Sequence, residues 1–167
     1  MDHEPKYTIS QIGEATGYAP NTIRTQFQRG FLKFMETDKR AGGNGLAHFL
    51  SMQSALYIAT FGALVAQGMS PRIAGDAAVQ WVHIGSNDPF GKLPERAPGA
   101  LFEGPGFTLL CVAANGEAEV KFAPLKGGSV LDLLASSQGR LTGVTIIVLN
   151  DIDRQVRSKL TPSAFSI

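Results

Sequence analysis

Residues 7–32 read YTISQIGEATGYAPNTIRTQFQRGFL, and this stretch decides the fold of the N-terminal third. Its first half carries an apolar stripe at helical spacing, formed by Ile9, Ile12 and Ala15. Thr8 precedes the stripe, and its hydroxyl can cap a helix N-terminus. Gly17 follows the stripe and supplies the backbone freedom that ends such a helix. The pattern predicts a short first helix.

A second helix is predicted directly after the first. Pro20 suits the first turn of a helix, where its missing N–H group is not needed. Ile23 and Phe27 lie four residues apart and form an apolar anchor, and Gly30 ends the pattern. The two helices and the turn between them predict a helix-turn-helix.

The second helix leaves six polar residues on its other faces: Asn21, Thr22, Arg24, Thr25, Gln28 and Arg29. Such side chains reach base edges in the major groove, and arginines also bind phosphate. These six polar residues favour DNA binding, because a helix that only packs against a core does not need them. The alternative is a small helical hairpin on the surface of an unrelated domain.

The residues after this hairpin predict a wing. Phe31–Glu36 alternates between apolar and polar residues, which indicates a short strand, and Leu46–Phe49 would be the returning strand. Between them, residues 37–45 contain three glycines and the cations Lys39 and Arg40. We expect these two cations to contact DNA phosphates. The alternative is a plain hairpin with solvated charges.

These motifs, in this order, resemble the winged helix-turn-helix opening of the MerR regulators, and related openings occur in phage excisionase-type proteins. The resemblance rests on Ile12-Gly13-Glu14-Ala15 with Thr16-Gly17, on Thr22-Ile23-Arg24, on Arg29-Gly30-Phe31-Leu32, and on the helix junction at residues 66–74. It covers about residues 7–84. It implies that Thr22, Arg24 and Thr25 face the major groove or its phosphates and that Lys39 and Arg40 lie on the wing.

The chain departs from that family at two places. Thr25-Gln26-Phe27 stands where family members usually have a Tyr-Tyr or Tyr-Glu pair after the arginine. The family usually continues into a long dimerising coiled coil, whereas residues 85–89 here are helix breakers. The departure favours regulation by simple occupancy of DNA.

Charge is weak overall and uneven along the chain. The 167 residues carry a net charge of +1, yet Lys6 to Phe49 holds six basic residues against three acids. Phosphate binding would therefore need well-placed cations, doubled by dimerisation. The single cysteine excludes a disulfide framework and fits a reducing, cytoplasmic setting. The polar N-terminus is not a secretory signal.

Ala41 to Pro71 contains no charged residue. Within it, Leu50–Gln67 predicts a helix that is apolar nearly all round and therefore buried on most faces. A membrane span is the weaker alternative, because polar residues interrupt the segment. A further helix, Pro71 to about Ile84, is predicted to start from Ser70 as its cap and to bury Trp81.

The remainder predicts a small α+β unit. The predicted strands and helices are Phe107–Ala113, Glu119–Phe122, a helix from Ser129 through Ser136, Gly143–Leu149, and a helix at Asp151–Leu160. We expect an α+β protein with a winged helix-turn-helix domain at residues 1–84. Residues 85–106 would be a Gly/Pro-rich linker or excursion, and residues 107–167 a dimerisation or sensing unit.

Catalytic chemistry finds little support. The histidines His3, His48 and His83 lack ligand spacing, and Cys111 lies in an apolar run typical of a core thiol. Asp151 and Asp153 fit a helix N-terminus better than a metal site. We expect no enzyme activity, no cofactor and no metal.

The sequence thus predicts a sequence-specific transcriptional regulator that binds double-stranded DNA as a cytoplasmic homodimer. Two alternatives remain. The hairpin and the charge-free helix could be docking surfaces of a protein-interaction module. The C-terminal unit could instead sense a small-molecule effector, in a pocket between its sheet and the Gly/Pro stretch.

Overall fold

The computed structural model describes residue 4 and residues 6–42, 47–86, 95–136, 139–140 and 143–161. Over these residues the chain combines five α-helices with short antiparallel sheets. The α+β class expected from the sequence is confirmed. Every helix in the described part of the chain is too short or too polar to span a bilayer.

The two predicted N-terminal helices are present. Strand β1 (Tyr7–Thr8) leads into helix α1 (Ile9–Thr16), and helix α2 (Pro20–Gln28) follows. Thr8 and Gln11 form a capping box at the start of α1. Gly17 ends α1 with a left-handed φ of 74°, which glycine adopts without strain. The residues that the sequence assigned as boundaries therefore do bound these helices.

The segment after α2 is not a strand. The N–H groups of Phe31 and Leu32 both donate to the carbonyl oxygen of Gln26, at 3.0 and 3.2 Å, so the chain closes the end of α2. Leu32 and Met35 are both buried three residues apart, which the two-residue alternation of a strand does not allow. The predicted strand Phe31–Glu36 is therefore wrong.

The predicted returning strand has a different partner. Strand β2 (Phe49–Leu50) pairs with β1, and Phe49 also forms a bridge with Lys39 through two backbone hydrogen bonds of 2.8 and 2.9 Å. We call residues 39–49, which this bridge closes at their base, the basic loop. Residues 43–46, the tip of the predicted wing, lie outside the described residues.

Helix α3 (Met52–Ala66) lies at the centre of the core. Ten of its fifteen residues are buried, so the prediction of a helix buried on most faces is confirmed. Helix α4 (Pro71–Val82) packs against it and is capped by Ser70, as expected. A Cβ atom on Gly75 of α4 would lie 2.2 Å from the carbonyl oxygen of Phe31. Only glycine permits this approach, which joins α4 to the end of the α1–α2 unit.

The C-terminal strands form a three-stranded antiparallel sheet in the order β4-β3-β7. The strands are β3 (Gly106–Ala113), β4 (Ala118–Pro124) and β7 (Val144–Val148). In the register, Leu110 lies opposite Val120 on one side and Ile147 on the other. Helix α5 (Leu149–Leu160) follows β7 directly, two residues earlier than predicted.

The predicted helix from Ser129 through Ser136 is shorter than expected. Ser129 does cap a helix, but this is a single 3₁₀ segment at Val130–Leu134. The chain then extends into β5 (Ala135–Ser136), which pairs with β6 (Gly139–Arg140). A hydrogen-bonded hairpin therefore replaces the last part of the expected helix.

One hydrophobic core joins the helices to the sheet. Its members come from all five helices and from β3 and β7, and they include Ile12, Ile23, Leu56, Trp81, Leu110, Leu149 and Val156. Helix α5 contacts α1, α3 and β3. Helix α1 and the sheet thus both pack against α3 and α5.

Residues 95–102 are held to α4 by a buried arginine. Arg96 is 5% exposed, and its guanidinium donates to the carbonyl oxygens of Trp81 at 3.0 Å, Gln80 at 3.3 Å and Ile84. The last carbonyls of a helix lack intrahelical donors and attract a cation. This part of the Gly/Pro-rich segment is therefore packed against the helical core.

Candidate nucleic-acid interface

The exposed side of α2 carries a polar stripe. Asn21, Arg24 and Gln28 are separated by three and four residues, so they share one face of the helix, and all three are exposed. Ile23 on the opposite side is fully buried, and Phe27 is half-buried. The helix is therefore anchored by its apolar side and presents these three polar groups to solvent.

The other residues of α2 that were predicted to bind DNA differ in their exposure and in their hydrogen bonds. Thr22 and Thr25 are half-buried, and the Thr25 hydroxyl donates to the carbonyl oxygen of Asn21 at 2.9 Å. Arg24 Nη1 donates to Asn21 Oδ1 at 2.8 Å, which orients its guanidinium along the helix surface. Arg29, just beyond the last residue of α2, is exposed. The Thr25 hydroxyl is thus bonded to its own helix.

An aromatic stack connects α2 to the basic loop. The rings of Phe27 and Phe34 are nearly parallel, 17° apart, with centroids separated by 4.2 Å. The ring of His48 lies on Phe34 with a centroid distance of 5.0 Å. Phe34 therefore bridges a residue of α2 and a residue of the basic loop. The sequence assigned Phe34 to a strand and did not reveal this contact.

Arg40 is held over the same ring. Its guanidinium carbon lies 4.8 Å from the centroid of Phe34, a cation–π distance. The N–H group of Ala41 donates to His48 Nδ1 at 3.1 Å, which ties the two sides of the basic loop together above its base. These contacts hold Arg40 close to the aromatic side of α2 while its side chain stays exposed.

Asp38 anchors the base of the basic loop. Its carboxylate accepts hydrogen bonds from the N–H groups of Met35 at 2.8 Å and Ser51 at 3.0 Å, and from the hydroxyl of Ser54 at 2.7 Å. Ser51 is the N-cap of α3, so the carboxylate also lies at the positive end of that helix. No local sequence signal pointed to this role, because Ser51 and Ser54 lie 13 and 16 residues further along the chain.

Within the part of the chain that the structure describes, no acidic side chain forms an ion pair with the cations of the candidate interface. Arg24, Arg29, Lys39 and Arg40 are all exposed. Between described residues, the ion pairs lie elsewhere, at Lys6–Glu4, Lys121–Glu119, Arg154–Asp151 and Arg157–Asp153. The four predicted cations are therefore available to an anionic partner.

The other residues that could carry chemistry are either buried in the core or in contact with a neighbouring side chain. Cys111 is buried in β3, and burial raises the pKa of its thiol. Burial also lowers the pKa of His83. Asp151 and Asp153 pair with arginines on α5. In the described part of the chain, no three His, Cys, Asp or Glu residues cluster in a way that could hold a metal ion.

No protein-family model matches this chain, and no curated protein is similar to it at a significant level. Its function must therefore be argued from the arrangement of α2, the basic loop and the core that supports them.

Proposed function

We propose that this protein is a sequence-specific DNA-binding transcriptional regulator that acts as a homodimer in the cytoplasm. The observation that carries the proposal is the exposed polar stripe of α2, with Arg40 stacked beside it on Phe34. Short polar groups and arginines on one exposed helix face match the donor and acceptor pattern of the major groove.

In this proposal α2 reads base edges. The Arg24 guanidinium is suited to the two acceptors of guanine, and the Asn21 amide to adenine. The 2.8 Å bond between the two side chains limits the directions in which the guanidinium can extend, which favours one register on the groove. Gln28 extends the same stripe by one turn.

The basic loop would contact the DNA backbone. Lys39 and Arg40 are exposed, and the Phe27–Phe34 stack limits how far the loop can move relative to α2. Phosphate contacts of this kind fix the register of a protein on the duplex without reading its sequence. Arg29, at the end of α2, is a further candidate for a phosphate contact.

The burial of α3 argues against the main alternative. A protein-interaction module that docks through the charge-free helix needs that helix exposed, yet ten of its fifteen residues are buried in the chain's own core. The exposed cations have no role in that alternative. They do have one in a complex with DNA.

Binding should be tested on duplexes selected from a random library, so that the operator need not be known in advance. Fluorescence anisotropy then compares a selected duplex with a scrambled one over a range of salt concentrations. We expect tighter binding to the selected duplex and a linear fall of log K with log salt concentration. Arg24→Ala should weaken specific binding by about 1–3 kcal/mol.

Arg72→Ala is the matched control, because Arg72 is an exposed arginine on α4, outside the candidate interface. It should leave binding unchanged. The proposal fails if no duplex is enriched and if binding at low salt is absent. Equal, salt-sensitive binding to both duplexes would replace a sequence-specific regulator with a general DNA-binding protein.

A further inference from the structure

A concave cavity of about 370 Å³ lies where three parts of the helical layer meet. The turn between α1 and α2, helix α3 and helix α5 all contribute to its lining. Residues that represent these three parts are Tyr18, Ala59, Gly62, Ile152, Gln155 and Val156. The volume is in the range of small-molecule sites in proteins, which is about 300–1,000 Å³.

We propose that this cavity binds an uncharged aromatic small molecule and that its occupancy is transmitted to α2. The binding step stands independently of the proposed function. The transmission step rests on it, because α2 is the element that would read DNA.

The lining determines the charge of the ligand. None of the described residues that form the cavity carries a charged side chain, and most of them are apolar. A charged ligand would lose its hydration there without gaining an ion pair, at a large cost in free energy. An uncharged molecule avoids that cost and gains by leaving water.

The shape of the wall favours a flat ring. The Tyr18 ring meets the ring of Phe61 edge-on, with centroids 6.1 Å apart and planes at 79°. Gly62 lies close beside the Tyr18 ring, since a Cβ atom on Gly62 would be 3.3 Å from Tyr18 Cδ2. Aromatic rings pack well in stacked or edge-to-face contact with such a wall.

The cavity adjoins contacts that position α2. Gln155 of α5 donates to the carbonyl oxygen of Ala15 at 3.4 Å, a long hydrogen bond at the end of α1. The N–H group of Tyr18 donates to the Thr16 hydroxyl at 3.3 Å within the turn. A ligand that displaces the Tyr18 ring, or that forms a hydrogen bond with the Gln155 amide, therefore changes the contacts that hold the turn before α2.

The test uses N-phenyl-1-naphthylamine, an uncharged aromatic probe that becomes fluorescent in apolar sites. We expect a saturable signal with one site per chain. Ala59→Phe fills the cavity and should weaken probe binding by at least about tenfold, because the new side chain clashes with the probe. Ala97→Phe, at an exposed position beyond α4, should leave binding unchanged.

Thermal unfolding checks that the variants fold. Should Ala59→Phe unfold the chain, Ala63→Leu places a smaller obstruction in the same cavity and is assayed in the same way. The site is overturned by an unsaturable signal or by full binding to a folded, filled variant.

The transmission step has a separate readout. Saturating probe should change the affinity of the protein for its selected duplex by at least about fivefold, and Ala59→Phe should abolish that change. An unchanged DNA affinity with the probe bound overturns transmission and leaves the site intact. Failure to bind DNA overturns the proposed function, while the probe titration still tests the site.

Discussion

The guanidinium of Arg96 occupies a place that water or a polar side chain fills in most helices. It lies at the C-terminal end of α4 and donates to carbonyl oxygens of α4 and of the following segment, including Trp81 at 3.0 Å and Ala97 at 3.1 Å. The ring of Phe102 lies 5.7 Å from its guanidinium carbon. These contacts keep the cation buried without a carboxylate partner among the described residues.

Replacing Arg96 should therefore be costly. Arg96→Met keeps much of the volume but removes all of these hydrogen bonds to the carbonyl oxygens around the end of α4, so we expect a loss of about 2–4 kcal/mol in the free energy of unfolding. Urea denaturation measures it. Arg72→Met, an exposed arginine of the same helix, should stay within about 0.5 kcal/mol of the parent. Equal effects of the two changes would contradict the capping role.

Tyr57 should make the protein sensitive to alkali. Its hydroxyl donates to the carbonyl oxygen of Gly75 at 3.3 Å, and burial, with a smaller effect of Asp76, raises its pKa to about 12. Below pH 10 the hydroxyl is protonated in both states, and its contribution to stability is complete. Between pH 10 and 12 the unfolded chain ionises first, so the free energy of unfolding should fall by up to about 3 kcal/mol.

Tyr57→Phe isolates that effect. The variant cannot ionise at this position, so its stability should change less steeply with pH between 10 and 12 than that of the parent, although it starts lower for lack of the hydrogen bond. Chemical denaturation at several pH values gives the two slopes. Parallel slopes would rule out Tyr57 as the source of the alkaline loss.

At the scale of elements, the basic loop depends on Phe34. Phe34→Ala removes the stacking surface of Phe27 and the support of Arg40, so stability should fall by about 1–2 kcal/mol. DNA affinity should fall about fivefold and to a similar extent for specific and scrambled duplexes, which is the signature of a lost phosphate contact.

Phe107→Ala provides the comparison for Phe34, because Phe107 is an exposed phenylalanine on β3, away from α2. It should leave DNA affinity unchanged in the anisotropy assay. A selective loss of specific binding in Phe34→Ala would instead indicate that the stack positions base-reading residues of α2.

Local signals predicted the helices well. Thr8, Gly17, Pro20 and Ser70 act through their own backbone or side chain on adjacent residues, so their effect is visible in the sequence. The contacts of Asp38 and Arg96 could not be predicted, because they join residues that are distant along the chain. The strand at Phe31–Glu36 failed because a short alternation is also compatible with an irregular segment packed on a helix.

At the scale of the whole molecule, the sheet has two unequal edges. Strand β4 carries Glu119 and Lys121 and ends at Pro124, features that discourage pairing with another strand. Strand β7 reads VTIIV, without charge or proline, and among the described residues it pairs with β3 alone. The proposed homodimer should therefore form by antiparallel pairing of β7 with its copy, which would also double the cations presented to DNA.

A cysteine at Ile146 tests this arrangement, because Ile146 is the central residue of β7 and its side chain is 40% exposed. Cys111 must first be replaced by alanine, since it is the cross-strand neighbour of Ile146 and would form a disulfide within the chain. In that background Ile146→Cys should cross-link two chains rapidly under mild oxidation. Directly opposed residues of paired antiparallel strands have Cα atoms about 4.5–5.5 Å apart, within the range of a disulfide.

Val144→Cys in the same background is the matched control on the same strand. With the two-fold axis at Ile146, Val144 lies opposite Val148 of the partner subunit, so this variant alone should cross-link slowly. Mixing Val144→Cys with Val148→Cys should restore fast linkage between unlike chains. Ala114 is an exposed residue in the β3–β4 turn, so Ala114→Cys gives the rate of cross-linking by random collision. If Ile146→Cys cross-links no faster than Ala114→Cys, β7 is not the interface. Sedimentation of the parent as a monomer at all concentrations would exclude a dimer that forms without DNA.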